Sequence, residues 1–194
     1  AVWRVGREAC LSDKTKRSEY AGALILILAV GCLWQVHETR GFKILADEVL
    51  LLGTSMDMHL EREATYPIRA TDVQGPFQIL TGVLDKRPLF FPFLVSLVHD
   101  LTGYRATNSF FVNTGLGFIF LALVYLVSHK ATKQHWAGIL GVLLFAGLPL
   151  MAQQTAGGGF ELLNLIMLTG VLWLACRYAE RPDLASAEAL CLGT

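Results

Sequence analysis

Charge is what this sequence has least of. Acidic and basic residues together make up 16% of it, against about 25% in soluble globular domains. A chain so poor in charge and 54% apolar reads as an integral membrane protein. The charges that are present cancel, sixteen basic against sixteen acidic. No basic field marks nucleic acid as a partner, and charge informs only by its position. Cysteine is sparse too: Cys10, Cys32, Cys176 and Cys191 are scattered, with no CxxC or Cys/His ligand spacing. That leaves no pattern for a disulfide framework or a cysteine metal centre. Internal repeats and low-complexity tracts are absent. The first apolar run has no small-residue cleavage motif after it and runs straight into Trp34, which suits a retained anchor rather than a signal peptide.

What the chain does have is long uncharged runs: Tyr20 to Val36, then 88–103, 107–128, 135–152 and 160–177. About 20 apolar residues cross the ~30 Å hydrocarbon core. Ahead of the first run, Arg4, Arg7, Lys14, Lys16 and Arg17 outnumber Glu8, Asp13 and Glu19, which places the N-terminus in the cytoplasm by the positive-inside rule. If all five runs crossed, Lys130, Lys133, Arg177 and Arg181 would fall on the wrong side. Keeping 88–103 out of the membrane brings all four to the cytoplasmic side at once. That run is short, carries His99 and Asp100, and has prolines at 88 and 92. A charge near the bilayer centre costs at least ~2.5–3.5 kcal/mol.

The expected fold is therefore an all-α integral membrane protein. It has about four transmembrane helices (20–36, 107–128, 135–152, 160–177) and an outer-face loop over 37–106 that holds amphipathic or juxtamembrane helices. Residues 1–19 are expected as a cytoplasmic tail, and 178–194 as a second tail or the start of a further segment. The chain begins at Ala1 and reaches Thr194 just as another apolar stretch opens at Leu190, Cys191 and Leu192. Either a processed chain or a piece of a longer one fits that pattern. Trp34, Trp136 and Trp173 lie near span ends and read as interfacial belt residues.

The polar chemistry concentrates in the outer loop. Leu45, Val49, Leu52 and Met56 recur as one helical face, which predicts a helix lying on the membrane with the adjacent pair Asp47-Glu48 held towards water. Such a pair is either a solvated helix face or a general base at the lipid–water boundary, where partial desolvation raises a carboxylate's basicity. Pro67, Gly75 and Pro76 break the segment after that helix, so 64–82 reads as loop with one short turn. Lys86-Arg87-Pro88-Leu89 puts two cations at a proline-led helix start, a ready anion site, or else two snorkelling side chains. Gln153 to Glu161, with three consecutive glycines, lies at the mouth of the last span on the same side. Its Glu161 is either a second acidic site residue or a carboxylate settled at a helix N-terminus. The run Asp57, His59, Glu61, Glu63 makes His59 and Glu61 the candidate ligands for a divalent metal ion, since an extended segment would align them where a helix would not. Asn108 and Asn113 open a span as a cap and an interhelical hydrogen-bond donor.

Taken in order, these features resemble the membrane-embedded GT-C glycosyltransferases, specifically the protein mannosyltransferase and aminoarabinose transferase group. The pattern is "DE", then "(K/R)-P-P-L" closing in Gly, then after two spans an outer acidic residue. Here it is carried by Ala46-Asp47-Glu48-Val49, by Lys86-Arg87-Pro88-Leu89 through Gly103, and by Gly158-Gly159-Phe160-Glu161. Arg87 stands where the first proline of the usual pair would be. Family members are longer, so the chain corresponds to the N-terminal part of the module.

The resemblance implies transfer of a sugar from a polyprenyl-phosphate donor to an acceptor, protein or glycolipid, at the outer face of a bacterial inner membrane. Transfer would be a single inverting displacement. Asp47 would act as base or orient the acceptor, Glu48 would support it or help hold a divalent ion, and Glu161 would be the second acid. Lys86, Arg87, Arg69 and Arg105 would stabilise the leaving phosphate. A reading from another class also stands: a non-enzymatic scaffold subunit, or an inactive relative, whose outer loop docks partner subunits. A cleft lined by both carboxylates and a cation would mark the transferase. A transporter fits less well, because no span carries a charge near its middle.

Overall fold

The fold is described from a computed structural model, for residues 2–71, 75, 78–180 and 191. What the sequence led us to expect of Arg181 and of the apolar stretch around Leu190 lies outside the described residues. The elements run α1 (Val2–His37), α2 (Leu45–Leu60), β1 (Tyr66–Thr71), β2 (Gln78–Val83), α3 (Phe90–Thr102), α4 (Thr107–Thr132), α5 (His135–Ala146), α6 (Pro149–Ala156) and α7 (Glu161–Glu180). The architecture is the expected helical membrane protein, with one small hairpin added. Among the described residues, three helices are long and apolar enough to cross a bilayer: Ser18–His37, Thr107–Thr132 and Glu161–Ala179. In lipid such runs must be helical, because every backbone N–H and C=O has to be satisfied within the segment.

Contacts at both ends set the helix directions. Gln35, late in α1, accepts a hydrogen bond from Thr114, early in α4, while Tyr20 meets His129 ring to ring at 6.2 Å. The two helices are antiparallel. Trp34 donates to the Ala146 carbonyl at 3.4 Å and Tyr125 shares a hydrogen bond with His135 at 2.7 Å, so α5 runs back up beside them. α7 descends parallel to α4, with the turn before it bonded to Asn113 and Lys130 lying over the Trp173 ring at its lower end. The core of this bundle is a helical stripe of α1 (Ala23, Ile27, Val30, Trp34) against Leu116, Phe120, Leu121 and Val124 of α4 and Val142 of α5, all buried. Trp34, expected in the interfacial belt, is inside the bundle with 2% of its surface exposed; its position in the α1 stripe turns it towards α5. Trp136 is exposed.

Small residues bring the helices close. A Cβ on Gly31 would stand 2.1 Å from the Phe118 ring, and one on Gly138 would stand 2.5 Å from Tyr125. With lipid as apolar as the side chains, such close packing supplies much of the association. The run 135–152, expected as one span, is the pair α5 and α6, bent by 75°. The cause is local. Pro149 has no N–H to continue α5, and Leu148 before it is extended (φ −94°, ψ 110°), so the chain restarts with proline in the first turn of α6.

The remaining elements gather at the end of the bundle where α1 finishes and α4 begins. α3 has 13 residues, about 20 Å at 1.5 Å per residue, and is too short to cross a ~30 Å core. It lies against α2 and the start of α4. Two expectations are corrected here. Segment 64–82 is not a loop: β1 and β2 form an antiparallel hairpin, with Tyr66 opposite Val83 and Ala70 opposite Ile79. Aromatic and β-branched residues at alternate positions outweigh the single proline, and Pro67 sits beside a register irregularity, where prolines in sheets are tolerated. α2 is also rotated from the expected face. Leu45 and Val49 are exposed, and the buried stripe is Glu48, Leu51, Leu52 and Ser55.

A Gly31→Ala substitution should lower the thermal midpoint in detergent by several degrees, since overpacking costs about 1–3 kcal/mol. Gly22→Ala, where a Cβ meets nothing within 4 Å, should leave the midpoint unchanged or raise it. Equal midpoints for the two variants would show that the Gly31–Phe118 contact yields without cost.

Candidate active site

The acidic pair of α2 splits into two roles. Glu48 is buried at 4% exposure. Its Oε2 accepts the Lys43 backbone N–H at 2.5 Å and its Oε1 accepts the Gly158 backbone N–H at 3.0 Å. One carboxylate thus ties the chain entering α2 to the glycine turn 110 residues later. A carboxylate can be buried here because two donors replace its water. Asp47, one residue earlier and so about 100° round the helix, stays partly exposed and pairs through Oδ1 with Arg87. Its Oδ2 makes no hydrogen bond among the described residues.

Arg87 is held from both sides. Besides Asp47, it donates to both oxygens of Asp85, at 2.9 and 2.8 Å. Burial pushes the Asp85 carboxyl up, but the Arg87 bonds and the Lys86 backbone N–H at 2.8 Å outweigh it and hold the group below the usual carboxylate range. Two carboxylates therefore share one guanidinium. Lys86 is exposed, and its ammonium has no partner among the described residues. Both cations precede α3 rather than sitting in its first turn, which begins at Phe90 after the capping residue Leu89.

The glycine turn is fixed by α4. Asn113, fully buried, donates both amide protons to carbonyls of the turn: Gly157 at 2.9 Å and Gly159 at 2.8 Å. Gly41 N–H reaches the Ala156 carbonyl at 3.1 Å. The glycines are needed for close approach, because a Cβ on Gly157 would lie 2.9 Å from Glu48 Oε1. Glu161 stands in the first turn of α7. It folds back on the turn, where a Cβ on Gly159 would meet its Oε2 at 2.1 Å. Its carboxylate has no hydrogen bond or ion pair among the described residues. Asp47-Glu48, Asp85 to Arg87 and Gly157 to Glu161 therefore meet at one end of the bundle.

Other candidates fall elsewhere. Arg69 is exposed on β1 and Arg105 is exposed between α3 and α4. Neither guanidinium joins the Asp47 cluster by a hydrogen bond or ion pair among the described residues. His59 binds Asp100 at 2.5 Å, and Arg62 binds the other Asp100 oxygen at 2.7 Å. Glu61 is the C-cap of α2. Among the described residues no three His, Cys, Asp or Glu side chains converge as metal ligands.

Asn108 does not cap α4, whose N-cap is Ala106. It donates to His99 Nδ1 at 2.8 Å, and to Thr102 Oγ1 and the Gly103 carbonyl, each at 3.0 Å. With Nδ1 accepting, the Nε2–H of His99 donates to Ser55 Oγ at 3.2 Å, and Ser55 donates to the Leu52 carbonyl at 2.7 Å. Every polar hydrogen in this chain finds an acceptor only if the ring is neutral. Burial, with the neighbouring His59 next in weight, lowers His99 from 6.5 to about 4. His99 thus faces no headgroup; it locks α3 to α2 and so positions the segment that carries Lys86 and Arg87.

Sequence reading missed Asp85, Lys43 and the structural task of Glu48. Asp85 had one available signal, a carboxylate two residues before an arginine ahead of proline. The Lys43 contact is through the main chain and has none.

The helical membrane fold fits a membrane-embedded glycosyltransferase of the GT-C type, the class to which the family match assigns the chain. The chain belongs to the dolichyl-phosphate-mannose-protein mannosyltransferase family, whose model matches residues 86–192. The match starts at Lys86 and takes in α3 to α7, leaving Asp47-Glu48 outside it. No curated protein and no solved structure gives a match.

Replacing Glu48 by Ala leaves two backbone donors without an acceptor and should cost about 2–5 kcal/mol, read as a lowered thermal midpoint. Glu48→Gln keeps one acceptor oxygen and should fall between. An Ala variant as stable as the parent would show that the turn holds itself.

His99 yields a prediction with a definite sign. Unfolded, it binds a proton near pH 6.5; folded, it does so only near 4. The unfolded state therefore holds more protons between those values, and stability falls as pH drops through that window while staying flat above it. In His99→Gln the fall between pH 6.5 and 4 should be shallower, and an unchanged pH profile would assign the loss to other groups.

Proposed function

We propose that the protein transfers a sugar from a polyprenyl-phosphate donor to an acceptor hydroxyl, at the membrane face where the Asp47 cluster lies. The observation that carries this reading is the convergence itself. The Asp47–Arg87 pair spans 40 residues and the Glu48–Gly158 bond spans 110, and both end at the same place. A scaffold loop needs no such meeting of a carboxylate–guanidinium pair and a buried carboxylate clamp across these separations.

In this reading the acceptor oxygen attacks the anomeric carbon as the bond from that carbon to the phosphate oxygen breaks, inverting the centre. Asp47 Oδ2 takes the proton of the acceptor hydroxyl. Arg87, held by Asp85, keeps the Asp47 carboxylate oriented and is a positioning residue rather than a phosphate ligand. Lys86, whose ammonium has no protein partner among the described residues, binds the leaving lipid phosphate as its charge develops. Glu48 supports the site from beneath by fixing α2 to the glycine turn. Glu161 is the second carboxylate, placed to hold the hydroxyls of the sugar or acceptor. Arg69 and Arg105 have a lesser claim, since nothing draws them into the cluster. The opposite end of the bundle carries Lys130, Lys133 and Arg177, and the positive-inside rule makes that end cytoplasmic and the Asp47 end external.

Asp47→Asn should reduce sugar transfer by about 10²-fold or more, measured with a polyprenyl-phosphate sugar in membranes where the variant inserts normally. Lys86→Ala should chiefly weaken use of the donor. Full activity in Asp47→Asn would overturn the assignment of the base.

A further inference from the structure

The end of the bundle away from the carboxylates holds a feature that sugar transfer does not use. α4 and α7 descend side by side, and a groove runs between their lower halves. Its mouth is a cavity of about 540 Å³ walled by Leu126, His129, Lys130, Lys133 and Trp173. Further along, it continues as a cleft of about 360 Å³ between Ile119 and Leu123 on one side and Met167, Val171 and Leu174 on the other. Trp173 belongs to both. The charged wall is thus confined to one end, and the rest is hydrocarbon.

Three observations bear on what fills it. From Ile119 to Lys130 is 11 residues, about 16 Å along a helix, which matches the ~15 Å hydrocarbon depth of one leaflet. The cations sit where that leaflet's headgroups lie, and among the described residues no acidic side chain lines the mouth. Lys130 is held with its Nζ 5.2 Å from the Trp173 ring centroid, a cation over an aromatic face.

The geometry points to a binding site for an anionic phospholipid of the bilayer, with one acyl chain along the α4–α7 groove and its phosphate against Lys130, Lys133 and Trp173. A zwitterionic lipid would fill the apolar length equally well, but its headgroup cation offsets its phosphate and leaves no net negative charge to set against the two lysines. Each basic residue at an anionic membrane surface favours binding by about fivefold, so headgroup charge should decide which lipid occupies the site.

The test uses the full chain in bilayer discs containing phosphatidylglycerol or phosphatidylcholine with the same brominated acyl chains. The Trp173 emission is taken as the difference between the parent and Trp173→Phe. Brominated phosphatidylglycerol should quench that component at a mole fraction several-fold lower than brominated phosphatidylcholine does. The difference should vanish in Lys130→Gln/Lys133→Gln, whose exposed side chains leave the fold intact, as its thermal midpoint would confirm. Equal quenching by both lipids would overturn the proposal in favour of ordinary lipid contact. Quenching by neither would overturn it in favour of protein covering the groove.

Discussion

The bond that the site depends on is a buried carboxylate reaching two backbone donors. Glu48 takes the Lys43 and Gly158 N–H groups at 2.5 and 3.0 Å. Without it, nothing of comparable strength would hold the start of α2 against the mouth of α7. The interaction is charge-assisted and sheltered from water, which makes it stronger than an exposed ion pair of the same length. It also explains the rotation of α2. Once Glu48 is satisfied inside, the helix turns Leu45 and Val49 outward and leaves Asp47 at the edge, where it can meet Arg87 and still present one oxygen.

A second constraint comes from building polar structure at the rim of an apolar bundle. Buried polar groups there need partners, and short chains of hydrogen bonds supply most of them, with Asp57 Oδ1 and Asn113 Oδ1 left without one among the described residues. His99 is neutral because Asn108 and Ser55 fix its tautomer; Asn113 spends both protons on the glycine turn. These chains join α2, α3, α4 and the turn before α7 into one assembly, so the cluster rests on four elements rather than on a loose loop. Among the described residues, the Lys86 ammonium, the Glu161 carboxylate and Asp47 Oδ2 are the parts of the cluster that make no hydrogen bond or ion pair.

The fold class was open to sequence reading because membrane helices are a compositional matter. Low charge, uncharged runs of spanning length and the placement of lysine and arginine depend on transfer from water to lipid, residue by residue. The break at Pro149 was not read: the run 135–152 was expected as one span, and the structure bends it by 75°. Nor was the hairpin: Pro67 and Gly75 read as loop signals, and only pairing with a second strand makes the alternation of Tyr66, Ile68 and Ala70 count. Trp34 illustrates a related failure. Aromatic residues near span ends usually sit at the interface, but here the helical stripe of Ala23, Ile27 and Val30 carries Trp34 into the bundle.

By itself, the sequence determined that this is a helical membrane protein and supplied the ordered acidic and basic motifs of its family. It also put Lys130, Lys133 and Arg177 towards one side of the bilayer. Those are properties of composition and order, and they survive without knowledge of any contact. Only the tertiary structure decided that Glu48 is a buried clamp while Asp47 is the partly exposed partner of Arg87, that Asp85 shares that arginine, and that Lys86 has no partner among the described residues. Such assignments depend on which face of a helix meets which turn 40 or 110 residues away. Neighbouring residues with the same charge differ in role only through that geometry.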